Sequence, residues 1–320
     1  MIAHEEQSDN IYNDIRFQQV IAEEMGELLP AKLLAQCDLP RVRSILEIGC
    51  GTGECLRAMA RQYPDLQCLG IDEDELQVKV ANALAYRDGL AQVACLAHNI
   101  TDLPPTLFPQ GSFDLVHLSF LGRYILTVDY AALAQMCAAL CRPGGMLCWT
   151  EAELPITNSA VFERLTSLVC EALQRAGQSF FAQSTWQWAE LIEPPSVESE
   201  IERSSYQRRA LGITPMMGRW LRAAGCGAQR ERPLSSLWGI DERVIDETAY
   251  AIEVSAGQPA YEGFVGQARR FAQEVKPFLL RTGVIKEGEY GTLCDQIERD
   301  LTRQDFCGLS FLMRAWGPRS

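Results

Sequence analysis

ILEIGCGTG, residues 45–53, is an apolar run that ends in an acid and then in three alternating glycines, Gly49, Gly51 and Gly53. A buried strand that turns sharply into a helix needs such a stretch, because glycine alone takes positive φ freely and lets a ligand touch bare backbone. ECLRAMARQY follows, with Leu56, Met59 and Ala60 at helical spacing, so the loop opens onto the first turn of an amphipathic helix. The pattern predicts a binding loop at a helix N-terminus.

Spacing decides the ligand. A dinucleotide fingerprint, GxGxxG, requires glycine at position 54, where Glu54 stands, and the Gly-Lys-Ser/Thr ending of a phosphate-cradling loop is absent. An acid there also repels phosphates. Residues 66–72, LQCLGID, form a second short apolar run that ends in Asp72, 19 residues beyond Gly53. At a strand end that carboxylate is placed to accept both hydroxyls of a ribose. An adenosine ligand without a pyrophosphate fits these residues.

ILEIGCGTG, LGIDEDE, FDLV and LCRPGGMLCWTE, taken in order, resemble the motifs of class I S-adenosylmethionine-dependent methyltransferases over residues 43–151. Four motifs in order are far more specific than one glycine loop. The resemblance implies S-adenosyl-L-methionine as cofactor, held by Glu47, Gly49, Cys50, Gly51, Gly53, Asp72 and Glu73. Where the family usually carries an Asp near the adenine, this chain has Asn99, whose amide oxygen still accepts from the adenine amino group, with Ile100 beside it. Ser119, after the fourth strand, is placed against the cofactor's methionine part. The Asn-Pro-Pro-Tyr of many enzymes acting on exocyclic or amide nitrogens is replaced by Ser119, Phe120, Leu121 and Gly122.

Composition sets outer limits. With 320 residues, 47% hydrophobic and 22% charged, the chain has material for a large core, as one big domain or two small ones. A net charge of −13 and the lack of a Lys/Arg-rich run disfavour nucleic acid and anionic membranes as partners. The 12 cysteines are scattered without CxxC or Cys/His zinc spacing, and His4, Glu5 and Glu6 interrupt any apolar leader. They read as reduced thiols of a cytoplasmic protein that binds no metal. No run approaches the roughly 20 apolar residues of a membrane span.

Alternation of strand and helix from residue 43 predicts an α/β, Rossmann-like sheet, which the resemblance extends to seven strands, mostly parallel, with an antiparallel last strand, CGLSFLMRAW. Residues 1–42 read as an N-terminal helical lid. Residues 43–240 and 305–320 read as the methyltransferase core, with a strand after Gly227, and 241–304 as an inserted helical cap of three stripes. The first stripe is Val244, Ile245, Thr248 and Ile252, behind Asp241. A cap of this size suits a homodimer as well as a wall for the acceptor pocket. Tyr12 and Arg16 of the leader face either the cofactor's carboxylate or solvent.

A sulfonium methyl is already electrophilic, so the enzyme has chiefly to align a nucleophile and exclude water. His117, on the fourth strand, is the candidate general base, with burial behind the sheet as the competing reading. Arg123, Tyr124 and Glu151 are further candidates. A small-molecule acceptor is expected; a lyase, cyclase or aminocarboxypropyl transferase on the same loop, or a cofactor-binding regulatory protein, are the alternatives.

Overall fold

The structure is a computed structural model that describes residues 42–99, 107–121, 130–176, 214–228 and 244–320. The leader with Tyr12 and Arg16, together with Ile100, Arg123 and Tyr124, lies outside the described residues. Seven strands form one sheet: β1 (Ser44–Ile48), β2 (Gln67–Asp72), β3 (Val93–Ala97), β4 (Phe113–Ser119), β5 (Cys141–Thr157), β6 (Asp246–Glu253) and β7 (Gly308–Pro318), in the order β3-β2-β1-β4-β5-β7-β6. β1 to β5 pair in parallel. Backbone bonds from Gly144 to Arg319 and from Asn158 to Cys307 show β7 running back as β5 runs forward. The sheet is therefore Rossmann-like, with an antiparallel last strand.

Burial explains why the sequence reads as it does. β4 is buried at every residue and β1 at all but Ser44, and parallel strands covered on both faces appear as unbroken apolar runs rather than alternating ones. Helix α1 (Glu54–Gln62) packs on β2 and α2 (Glu75–Arg87) on β3, while α3 (Tyr130–Leu140) lies on β4. The RPGG turn, residues 142–145, bulges out of β5, so that the pairing with β4 jumps from Phe113↔Cys141 to Leu115↔Met146.

One expectation is corrected here. The first stripe of the cap, Val244 to Ile252, is not a helix: it contains β6, the edge strand of the sheet. Its apolar residues happen to fit a helical period, and because an edge strand is largely exposed, only Ile252 within it is buried. The strand expected after Gly227 falls on residues outside the described ones beyond Ala228, which bridges to Val244. The other two stripes are helices, α6 (Tyr261–Thr282) and α7 (Glu287–Leu301).

The described residues gather into two compact units, one taking in residues up to 151, 215–249 and 313–320, the other 152–214 and 250–312. In the second, α4 (Ala160–Arg175) packs on α6 and α7. Ser159 caps α4 by accepting the Phe162 N–H at 3.1 Å and donates to Asp300 at 2.7 Å. Phe162 and Phe306 both meet Phe264, each at 5.9 Å between ring centroids. The first unit also holds α5 (Thr214–Ala223) from its second residue on. Among the described residues no helix is long and apolar enough to cross a membrane.

Candidate functional site

β1 has β2 on one side and β4 on the other, so the strand order reverses at β1 and leaves a crevice at the carboxyl ends of β1 and β4. The glycine loop fills that point. Gly49, Gly51 and Gly53 take φ of 80°, 51° and 70°, the left-handed region that L side chains rarely adopt. At Gly49 space is as restrictive as φ: a Cβ there would lie 2.3 Å from the Ser119 carbonyl oxygen and 2.8 Å from Leu121. The N–H groups of Gly49 and Cys50 both donate to the Ile71 carbonyl, at 2.8 and 3.0 Å. No side chain caps α1 at Gly53, which leaves first-turn N–H groups directed at the loop.

Asp72 ties the loop to β2. One carboxylate oxygen accepts the Gly51 N–H at 2.8 Å and the other the Asp74 N–H at 2.9 Å. Each oxygen keeps a further lone pair. Burial pushes the Asp72 carboxyl above its ordinary range, although the N–H groups of Asp74 and Gly51 pull the other way. Asp74 in turn caps α2 by accepting from Leu76 and Gln77 at 2.9 and 3.2 Å. Glu73 and Asn99 are exposed, Asn99 two residues beyond the end of β3.

Across the crevice, the chain leaving β4 bends sharply. Phe120 holds φ of 54°, the one positive value among described residues other than glycine, a conformation that costs about 1–3 kcal/mol. Its N–H donates to the Thr150 carbonyl at 2.9 Å, and the next N–H, of Leu121, donates to the Glu151 carboxylate at 2.9 Å. The same Glu151 oxygen accepts the Trp149 indole N–H at 2.7 Å. Trp149 stacks on Trp220 and Trp220 on Tyr130, with centroids 5.6 and 5.0 Å apart.

Strand register places the remaining candidates beneath the loop rather than on it. Glu47 pairs with His117 and His117 with Cys148, so Glu47, His117 and Thr150 share one face of the sheet. His117 is 2% exposed; its Nδ1 lies 3.1 Å from Glu47 and its Nε2 2.9 Å from Thr150 Oγ1. Both ring nitrogens are engaged and the side chain is buried, the arrangement of a packed core histidine that the sequence set beside a general base. Glu47, 1% exposed, lies in the same buried layer. Cys50 turns inward, where a Cβ on Gly70 would sit 2.6 Å from its sulfur, so only its backbone is offered to the crevice.

This buried group includes a constellation that one-dimensional spacing hid. Donor atoms of Glu47, Cys55 and His117, from β1, α1 and β4, lie within 4.8 Å of one another. Burial first and the Glu47 charge next push the Cys55 thiol well up, while Arg314 pulls it down. A metal-ligating cysteine must be a thiolate. Arg314 is buried and its Nε donates at 3.1 Å to Thr150, whose Oγ1 also meets His117, so these residues share one polar network in the core, in which one carboxylate oxygen of Glu47 has no hydrogen-bond partner among the described residues.

Residues 45–145 match the methyltransferase domain family. Methyltransferase str3 of Strobilurus tenacellus is 35% identical over 114 residues, covering 36% of this chain and 37% of that protein. Trans-aconitate 2-methyltransferase of Methylobacterium radiotolerans is 24% identical over 204 residues, 61% of this chain and 73% of that protein. A tRNA (guanine-N(7)-)-methyltransferase of Edwardsiella ictaluri is 29% identical over 109 residues, 32% of this chain and 46% of that protein. The chain thus spans less than half the length of the Strobilurus and Edwardsiella relatives. A solved structure of phosphoethanolamine N-methyltransferase 2 from Haemonchus contortus superposes with a TM-score of 0.42 at 15% identity, covering 87% of this chain and 49% of that one.

Proposed function

We propose that this chain, whose residues 45–145 match the methyltransferase domain family, is a class I S-adenosyl-L-methionine-dependent methyltransferase that moves the methyl group of that cofactor onto a small-molecule acceptor. The observation that carries the reading is the bare glycine loop at the strand-order reversal, tied to Asp72 through the Gly51 N–H. Each oxygen of Asp72 retains a lone pair for a ribose hydroxyl, and Gly49, Gly51 and Gly53 leave room for the ligand to lie against backbone. Asn99 is assigned the adenine edge and Ser119 the methionine end, with Glu73 beside the ribose. The bound sulfonium supplies an electrophilic methyl. What remains for the protein is to align the acceptor in line with the carbon–sulfur bond and to keep water out.

The small acceptor is favoured by charge. Relatives of this chain are named for trans-aconitate and for tRNA, but a net charge of −13 opposes the phosphate contacts that dominate nucleic-acid affinity. Calorimetry with S-adenosylhomocysteine and no added metal tests the cofactor, and mass spectrometry of the cofactor products tests the reaction. Binding is expected, with S-adenosylhomocysteine formed only when an acceptor is supplied. Absence of heat and of a thermal shift in folded protein refutes the cofactor assignment; methylthioadenosine released without acceptor refutes methyl transfer in favour of a lyase.

A further inference from the structure

Glu151 ends the first unit's share of β5, faces away from the Glu47–His117 network, and serves no step of the reaction above. It is 2% exposed, yet it gathers two donors onto one oxygen: the Leu121 N–H at 2.9 Å and the Trp149 indole N–H at 2.7 Å. The segment it grips is under two constraints. Phe120 stands at φ of 54°, which a phenylalanine does not hold unaided, and the Ser119 carbonyl with the Leu121 side chain presses on Gly49 so closely that no Cβ fits between them. Trp149 is itself fixed in the stack with Trp220 and Tyr130. The carboxylate therefore links an immobile aromatic cluster to a strained backbone segment lying directly on the glycine loop.

From this geometry we infer that Glu151 is a positioning residue for the cofactor crevice: it holds residues 119–121 in the bend that sets the width of the cleft against Gly49. Catalysis at the methyl group needs no contact from it. Its oxygen is an acceptor of two N–H groups, so the role belongs to the acceptor geometry and a glutamine, which keeps one carbonyl oxygen, can fill it. Removing the side chain leaves two buried N–H groups without an acceptor and frees the bend to relax toward negative φ.

The inference rests on the cofactor reading for its consequence but not for its first test. With no cofactor added, amide exchange at Leu121 is expected to be roughly tenfold faster or more in Glu151→Ala than in the wild type; unchanged exchange overturns the proposal whatever the protein binds. In the second arm, Glu151→Ala is expected to bind S-adenosylhomocysteine about tenfold more weakly, with KM for the cofactor rising more than kcat falls. Glu151→Gln is expected to stay within about threefold of the wild type. The double variant Phe120→Gly/Glu151→Ala is expected to recover part of the lost affinity, since glycine takes φ near 54° without strain. Should Glu151→Ala fail to fold, Glu151→Gln decides: retained affinity and Leu121 protection support the assignment, and loss of either in folded protein overturns it. A wild type that binds no cofactor at all sinks the function proposed above, while the exchange measurement still judges Glu151.

Discussion

At Gly49 one methyl group meets two obstacles at once. Its φ of 80° costs an L residue about 1–2 kcal/mol, and the Ser119 carbonyl oxygen would lie 2.3 Å from the new carbon. Backbone cannot rotate aside as a long side chain can. Gly49→Ala is therefore expected to lower the thermal midpoint and to weaken S-adenosylhomocysteine binding by roughly tenfold or more, measured by calorimetry. Asp72 works by charge instead. Only the ionised carboxylate accepts on both oxygens, and burial raises its pKa. As pH falls, a proton competes for the ribose site earlier than it would at an exposed aspartate. Wild-type affinity is expected to decline with acid from a higher pH than the usual carboxylate range. Asp72→Asn is expected to bind about tenfold more weakly at neutral pH, the loss of a charged hydrogen bond, and to lack this acid limb.

Between elements, the most exacting joint in the core is Arg57, which α1 presents toward the end of α2. It is 1% exposed, pairs with Glu54 one turn back and donates to Asp88 at 2.7 Å. Burial alone raises the Asp88 carboxyl, but hydrogen bonds from Arg57, Arg87 and Arg61 outweigh it and hold the pKa at about 2. A folded pKa below the unfolded one stabilises the fold fully above the unfolded value and loses that contribution as pH falls through about 2. Arg57→Ala takes the buried partner from Glu54 and one of three arginines from Asp88, which keeps Arg61 and Arg87, at a cost of about 1–3 kcal/mol. Urea unfolding should show that cost near neutral pH and a smaller gap between variant and wild type toward pH 2. The joint also illustrates what was legible beforehand. β1, β2, β4, α1 and α2 were readable because central strands and amphipathic helices write burial directly into local pattern. β6 was not, because an exposed edge strand carries little alternation and its few apolar residues fit a helix equally well. The Glu47, Cys55, His117 and Arg314 group was invisible for another reason: it is assembled by register between β1 and β4 and by residues far apart in the chain. Glu151 stood in plain sight as a strand-end acid, but its two donors become evident only once the chain leaving β4 bends back over Gly49.

Over the whole molecule the governing quantity is charge. With 42 acidic side chains against 29 basic ones, the protein presents a net −13 to any polyanion. Each phosphate of a nucleic-acid acceptor has to find a Lys or Arg, and affinity built that way falls steeply with salt. The sequence offers no basic run to begin such a contact, whereas a small metabolite carries at most a few charges and feels the net field far less than a polyanion does. Transfer-RNA, incubated with the protein and labelled cofactor, is therefore expected neither to bind at about 50 mM salt, where electrostatic attraction would be strongest, nor to gain label. A panel of small carboxylic acids, phenols and amines under the same conditions is expected to contain acceptors whose labelling is insensitive to salt up to about 200 mM. Labelled tRNA with salt-sensitive binding would overturn the small-acceptor reading while leaving the proposed cofactor site intact, because the assignment of the cofactor to the glycine loop and Asp72 is the same whichever acceptor enters.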